Sequence, residues 1–291
     1  MRIQITNDDG IESTGLHVLA ARLAETGHEI IVVAPDRDWS GAGAALGSIR
    51  PDEPLRVARV EIDDAPNIEA WALDGPPALT VIAARLGAFG PPPDLIVSGI
   101  NAGLNTGRSV LHSGTVGAVL TGQNFGLSGL AVSVADSDPW HWKTAADLAA
   151  EVLQLVIDGP SRSVINLNVP AVEPGRVLGI RWGRLAPFGA VRAAVASRGD
   201  EHLQFELTMT DYVAPDDTDQ GLVDAGYASI TTLVGVTEAW AEDVANETVF
   251  DVANEVPELT ERLIPGAPLH PVHIVPDGTS LRRPHLGEDV G

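Results

Sequence analysis

An α/β fold, with a mainly parallel sheet between layers of helices and a β-hairpin extension, is predicted by three features of the 291-residue sequence. Short apolar runs of strand length alternate with helical stretches through the first half of the chain. The apolar runs end in loops dense in Asn, Asp, Ser and Gly. Beyond about residue 160 the pattern changes to period-2 alternation. Strands alternating with helices imply βαβ units and a parallel sheet.

In chain order, residues 2–6 read as a strand and residues 16–24 as an amphipathic helix ended by Gly27. Residues 28–34 (HEIIVVA) form a nearly continuous apolar run, as strands buried on both faces do. Residues 76–86 predict a helix with proline near its first turn. A second buried strand follows at 94–100 (DLIVSGI), then a helix at 114–124 and a strand at 130–134. Residues 163–169 (SVINLNV) still belong to the sheet. The natural architecture is a doubly wound, Rossmann-like three-layer core. Residues 176–185 and 202–210 are strand-like, with Leu203-Gln204-Phe205-Glu206-Leu207 alternating apolar and polar. A polar segment joins them, so a protruding hairpin over about 176–212 is expected, serving oligomer formation. Residues 227–233 read as a late strand. The α/β domain is expected to span 1–235. Residues 236–291 are acidic and then proline-rich, with Pro265, Pro268, Pro271, Pro276 and Pro284, and are expected to be partly disordered.

The bulk composition excludes several classes. Hydrophobic residues at 44% and charged ones at 20% are globular values. No run of eighteen apolar residues is present, so no transmembrane helix and no membrane partner are expected. The amino-terminal residues lack the basic start and long apolar run of a signal peptide, which predicts a cytoplasmic protein. The absence of cysteine excludes disulfides, thiolate nucleophiles and thiolate zinc sites. A formal net charge of −22, with Lys143 the only lysine, should repel polymeric nucleic acid. It should also repel a small phosphate ester unless a bound divalent cation reverses the local field. The same charge also reads simply as a source of solubility.

Three segments concentrate chemistry. Asn7-Asp8-Asp9-Gly10 follows the first strand. Ligands in open α/β sheets bind outside the carboxyl ends of the strands. Two adjacent carboxylates there repel unless a cation or proton compensates, and they are hard oxygen ligands suited to Mg²⁺, Mn²⁺ or Ca²⁺. Taken alone the segment also reads as a turn. The second segment, residues 34–43, follows the second strand and holds Ser40 and Gly41. Its Gly41-Ala42-Gly43-Ala44-Ala45-Leu46 misses the dinucleotide fingerprint, with Leu46 in place of the last small residue. The third is Ser98-Gly99-Ile100-Asn101-Ala102-Gly103-Leu104-Asn105-Thr106-Gly107, continuing to His112-Ser113-Gly114-Thr115-Val116-Gly117. Its glycines permit close backbone approach to a ligand, and it feeds a helix N-terminus, a ready anion site. Arg108 stands where a Walker A loop needs lysine. His112 is a candidate acid or base, or a local hydrogen-bonding residue. The Trp140-His141-Trp142 cluster reads as packing.

Together these segments resemble the SurE family, the stationary-phase survival proteins that act as 5′/3′-nucleotidases. The pattern is carried by Asn7 to Gly10, by Ala34-Pro35 with Ser40-Gly41, by Ser98 to Gly107 and by Ser113 to Ala118, in order. It reappears weakly at 166–170 (NLNVP) and at 219–233, where Gly226 to Thr231 (GYASIT) looks like the family's late strand. The resemblance implies that Asp8, Asp9, Ser40 and Asn101 bind one divalent metal ion, Mg²⁺ or Mn²⁺, with Asp8 and Asp9 catalytic. Asn7, Gly41, Gly99, Asn105, Ser113, Gly114 and Thr115 are the expected phosphate- and substrate-binding residues. It also implies a homodimer or homotetramer and nucleoside monophosphates as substrates. Departures from the family pattern bear on substrate preference: Ala102 replaces a histidine, His112 a tyrosine, and Arg108-Ser109 an acidic pair. The alternatives are a nucleotide-binding module without catalysis and a metal-dependent glycosyltransferase using a nucleotide sugar.

Overall fold

The computed structural model describes residues 1–237, apart from 64, 188–190, 200, 201, 210 and 211. The expected tail at 238–291 lies outside the described residues. The elements are β1 (Arg2–Thr6), α1 (Thr14–Ala24), β2 (Glu29–Pro35), β3 (Val57–Val60), β4 (Glu69–Leu73), α2 (Pro77–Arg85) and β5 (Leu95–Ala102). They continue with α3 (Gly114–Asn124), β6 (Ser128–Val134), α4 (Trp142–Asp158), β7 (Val164–Val169), β8 (Ile180–Trp182), β9 (Val191–Arg198), β10 (Leu203–Met209), α5 (Asp219–Asp224) and β11 (Ala228–Leu233).

The main sheet runs β3-β4-β2-β1-β5-β6-β7-β11-β8. Its six central strands, β4-β2-β1-β5-β6-β7, are all parallel, and β3 and β11 join antiparallel at the two sides. This is the doubly wound order, with strands added first on one side of β1 and then on the other. Alternation in the strands feeds two apolar layers. Ile3 and Ile5 of β1 and Val32 of β2 join Leu16, Leu19 and Leu23 of α1 and Val152, Leu153 and Val156 of α4 on one face. Ile31 and Val33 of β2 pack with Leu79 of α2, and Ile96 of β5 with Val116 and Val119 of α3, on the other. Each fully buried Leu, Ile or Val contributes about 1.5–3 kcal/mol of transfer free energy.

The expected helices at 16–24, 76–86 and 114–124 and the expected parallel strands are all present, within a residue or two at most ends. Helix α1 starts earlier than its apolar pattern, because the Ser13 side chain caps it by accepting from the Leu16 N–H. The hairpin lies within the expected 176–212 and its second arm matches the expected strand at 202–210, but its first arm differs. Its arms are β9 and β10, antiparallel in a separate two-stranded sheet. Residues 176–185 supply no hairpin arm; they yield the short β8, which adds parallel to β11 at the edge of the main sheet. The two segments look alike in sequence because an edge strand and a hairpin arm share the same half-exposed alternation. Strands β3 and β4 and helix α4 have no counterpart in the pattern read above. Trp140 and Trp142 stack with centroids 4.9 Å apart and pack against the core beneath α4, as the packing reading expects.

Candidate functional site

The site lies at the topological switch point. From β1 the chain moves to β2 and β4 on one side, then crosses to β5 on the other side of β1. Diverging connections leave a crevice over the carboxyl ends of β1 and β5. Asp8 and Asp9 leave β1 and Asn101 lies near the end of β5. The loop after β2 carries Asp38 and Ser40, and α3 begins at Gly114.

Backbone bonds sew these loops together. The Trp39 N–H donates to the Asp8 carbonyl at 2.7 Å, Ile11 N–H to Pro35 at 2.8 Å, and Gly43 N–H to His112 at 3.1 Å. Two glycines permit the approach. Gly10 has φ +99°, and a Cβ there would stand 3.0 Å from the Arg37 backbone. A Cβ on Gly117 would stand 2.3 Å from the Gly43 carbonyl oxygen, so no other residue fits without moving the loop.

Asp8 is 3% exposed. One carboxylate oxygen accepts from the Thr115 hydroxyl at 2.5 Å and the other from the Gly114 N–H at 3.1 Å. Burial pushes its pKa up, and these donors from the start of α3 partly restore the charged form. The Thr115 oxygen also lies 3.3 Å from Asn101 Oδ1. Its single proton goes to the shorter contact, so Asn101 Oδ1 keeps a lone pair open. Asn101 Nδ2 donates to the Gly103 carbonyl at 2.7 Å, which fixes the amide's orientation. Asp9 is half-buried, and its carboxyl is pushed up to about 6, first by burial and then by the charge of Asp8, with Asp38 adding to it. The Ala102 N–H opposes that rise. Ser40 is exposed; its N–H and its hydroxyl both donate to Asp38 Oδ1, at 2.7 and 2.6 Å.

The other expected site residues fall into two groups. Gly114 and Thr115, expected on a phosphate, bond to Asp8, and a Cβ on Gly114 would stand 2.6 Å from Asp8 Cβ. Ser113 caps α3 by accepting from the Val116 N–H at 3.1 Å. Asn7 is buried and donates to the Gly10 carbonyl and Ser13 Oγ, while its Oδ1 has no partner among the described residues. Gly99 has φ +140°, and a Cβ there would stand 2.4 Å from the Val132 carbonyl oxygen, so its need for glycine is met by packing on β6. Asn105 is held in a network: its N–H donates to Asn168 Oδ1, its carbonyl accepts from Asn166 and Asn168, and its Nδ2 donates to Ser133 Oγ at 2.9 Å. Gly41, with φ +83°, has no atom within 4 Å of its Cβ position and stands in the open. His112, itself exposed, ends the 3-10 turn Gly107–His112. Asp219 pins the start of that turn by accepting the Gly107 N–H at 2.8 Å, and burial pushes its carboxyl up.

Asp38 and the backbone of Ala102 went unread in the sequence, and Asp219 was read only as the start of the late segment resembling the family. The Asp38-x-Ser40 spacing was the one available signal for the first, since an aspartate commonly accepts from the backbone two residues on.

The donor set fits a divalent cation. Two carboxylates, a side-chain carbonyl and a hydroxyl are hard oxygen ligands. Among the described residues no Arg, Lys or His pairs with Asp8, Asp9 or Asp38. Arg37, beside Asp38 in the chain, is engaged by Asp36 and Asp74. The carboxylates therefore repel one another with no positive side chain to offset them. No cluster of three or more His, Cys, Asp or Glu placed to hold a metal occurs among the described residues.

A doubly wound α/β protein with an acidic oxygen-donor site at its switch point is the class defined so far. The family model described as Survival protein SurE matches residues 3–189, and the chain belongs to the SurE family. Similar relatives include the 5′-nucleotidase SurE of Chloroflexus aggregans, 39% identical over 238 residues that cover 79% of this chain and 92% of the relative. The 5′/3′-nucleotidase SurE of Serratia proteamaculans is 37% identical over 250 residues, covering 84% and 94%. The crystal structure of the SurE protein from Aquifex aeolicus superposes with a TM-score of 0.70 at 26% identity, covering 85% of this chain and 99% of that one. No helix among the described residues is long and apolar enough to cross a membrane.

Proposed function

We propose that the chain is a divalent-metal-dependent phosphomonoesterase that hydrolyses nucleoside monophosphates to nucleoside and phosphate. The observation that carries this reading is the uncompensated Asp8–Asp9 pair at the switch point, in a family whose named relatives are nucleotidases. Asp8, Asp9, Asn101 and Ser40 would hold the cation. Bound there, a divalent ion supplies charge neutralisation and Lewis-acid polarisation of a phosphoryl oxygen, in a chain of net charge −22 that otherwise repels the substrate. Phosphoryl transfer needs positioning and electrostatic stabilisation more than covalent chemistry.

The protein's residues divide that work. Asp8, fixed by Thr115 and Gly114, is a rigid anchor. Asp9 is restrained chiefly by the Ala102 N–H and retains accepting capacity, which suits it to orient the attacking water and take up its proton. Because Gly114 and Thr115 are committed to Asp8, the open Gly41 segment and the adjoining turn that carries His112 would receive the phosphate and nucleoside. A cytoplasmic location and a homodimer or homotetramer complete the reading. A second copy would cover the exposed Val195, Leu203 and Phe205 of the hairpin, of which Val195 and Phe205 are cross-strand partners.

Phosphate release from a panel of nucleoside monophosphates, p-nitrophenyl phosphate and a nucleotide sugar, with Mg²⁺, Mn²⁺ or EDTA, tests the function. Metal-dependent release from the monophosphates is expected. Binding of nucleotides without release sinks the catalytic reading in favour of a binding module.

A further inference from the structure

A hydroxyl that ligates a cation must present a lone pair to it, and its proton needs an acceptor elsewhere. Left free, the serine hydroxyl samples three rotamers and can donate to a neighbouring carboxylate instead. At Ser40 the structure supplies that acceptor. Asp38 Oδ1 receives both the Ser40 hydroxyl at 2.6 Å and the Ser40 N–H at 2.7 Å. The backbone before Ser40 is held by the bond from the Trp39 N–H to the Asp8 carbonyl. The remaining freedom is the rotation of the Ser40 side chain, which the Asp38 bond sets. Nothing among the described residues competes for Asp38. Arg37 is drawn away to Asp36 at 3.2 Å and Asp74 at 2.9 Å, and its guanidinium lies 4.7 Å from the Trp39 ring centroid.

We propose that Asp38 is a positioning residue for the metal site: it takes the Ser40 hydroxyl proton and so leaves the serine oxygen's lone pairs for the cation held with Asp8, Asp9 and Asn101. This rests on the metal-dependent reading above. It treats Asp38 as acting through Ser40 rather than through its own charge, and the two roles separate by substitution. Asn at this position keeps an acceptor oxygen and loses the charge; Ala loses both. Asp38 and Ser40 are both exposed, so neither change opens a cavity.

The test is Mn²⁺ binding by calorimetry on the full chain for wild type, Asp38→Asn, Asp38→Ala, Ser40→Ala and the double variant Asp38→Ala/Ser40→Ala, with thermal melts as a folding control. Removing a group that orients a metal ligand typically costs 10–100-fold in affinity, and a loss of about tenfold or more is expected for Asp38→Ala. Asp38→Asn should lose no more than about threefold, the effect of one exposed charge. The double variant should bind no more weakly than Ser40→Ala alone, because Asp38 acts through the serine. Equal losses for Asp38→Asn and Asp38→Ala, or losses that multiply in the double variant, overturn the proposal. So does an Asp38→Ala that binds like wild type. If folded wild type takes up no Mn²⁺, the metal-dependent reading fails and this inference falls with it.

Discussion

Asp9 is the residue at which the site's electrostatics can be read most directly. Its carboxyl is pushed from an ordinary 3.8 up to about 6 by burial and by Asp8. In the metal-free protein this has a definite sign. Below about pH 4 the group is protonated in both the folded and the unfolded chain, and nothing is lost. As the pH rises toward 6 the unfolded chain ionises freely while the folded one resists. Above 6 the folded state must carry the charge against burial and repulsion, so the favourable contribution present at low pH is gone. With EDTA present, Asp9→Asn should therefore melt higher than wild type at pH 7.5, and the difference should shrink as the pH approaches 4. A variant no more stable than wild type at pH 7.5 contradicts this account of the site. Thr115 acts in the opposite direction: its hydroxyl, 107 positions from Asp8 in the chain, opposes the rise that burial imposes on that carboxyl. That pairing is long-range, so the sequence signalled a special residue at 115 but not what it holds.

At the scale of elements, α3 and the three strand-end loops form one unit. Gly117 lets the Gly43 carbonyl rest against α3, and Gly43 in turn bonds to His112. Gly117→Ala must push the 40–43 loop off the helix. Overpacking of this kind costs typically 1–3 kcal/mol, and the loop displaced is the one carrying Ser40. We expect a lower melting temperature together with weaker Mn²⁺ binding; a change in stability alone, with binding intact, would show that the loop and the site are uncoupled. Legibility followed burial. HEIIVVA and DLIVSGI were readable as strands because parallel strands covered on both faces are apolar throughout. Helix α4 was readable on similar terms and went unassigned: Ala145, Ala149, Val152, Leu153 and Val156 recur at helical spacing on its buried face. Strand β3 escaped because it is short and mostly exposed, with burial only beginning at Val60.

For the whole molecule, the fold and the charge work against each other, a conflict that the proposed cation would relieve. The doubly wound sheet brings Asp8, Asp9 and Asn101 to one crevice, and the net charge of −22 makes that crevice hostile to phosphate. The fold class was readable from the alternation of runs and helices. The hairpin's second arm was readable at 202–210, but its first arm was not, since residues 176–185 join the edge of the main sheet instead. The hairpin exposes Val195, Leu203 and Phe205, each more than half accessible in the single chain. If a second copy covers them, Phe205→Glu should shift the species seen by light scattering toward a smaller mass while the metal site stays intact. An unchanged mass removes the hairpin from the assembly.

The central claim is that the paired aspartates at the switch point make a metal-dependent phosphatase of this chain. Phosphate release from a nucleoside monophosphate, measured with Mn²⁺ for wild type and for Asp9→Asn, tests it most directly. The account predicts release by wild type that EDTA abolishes, and a fall in the variant of at least about 10²-fold, the lower bound for removing a positioned acid–base group. Release that survives both EDTA and the substitution would contradict it.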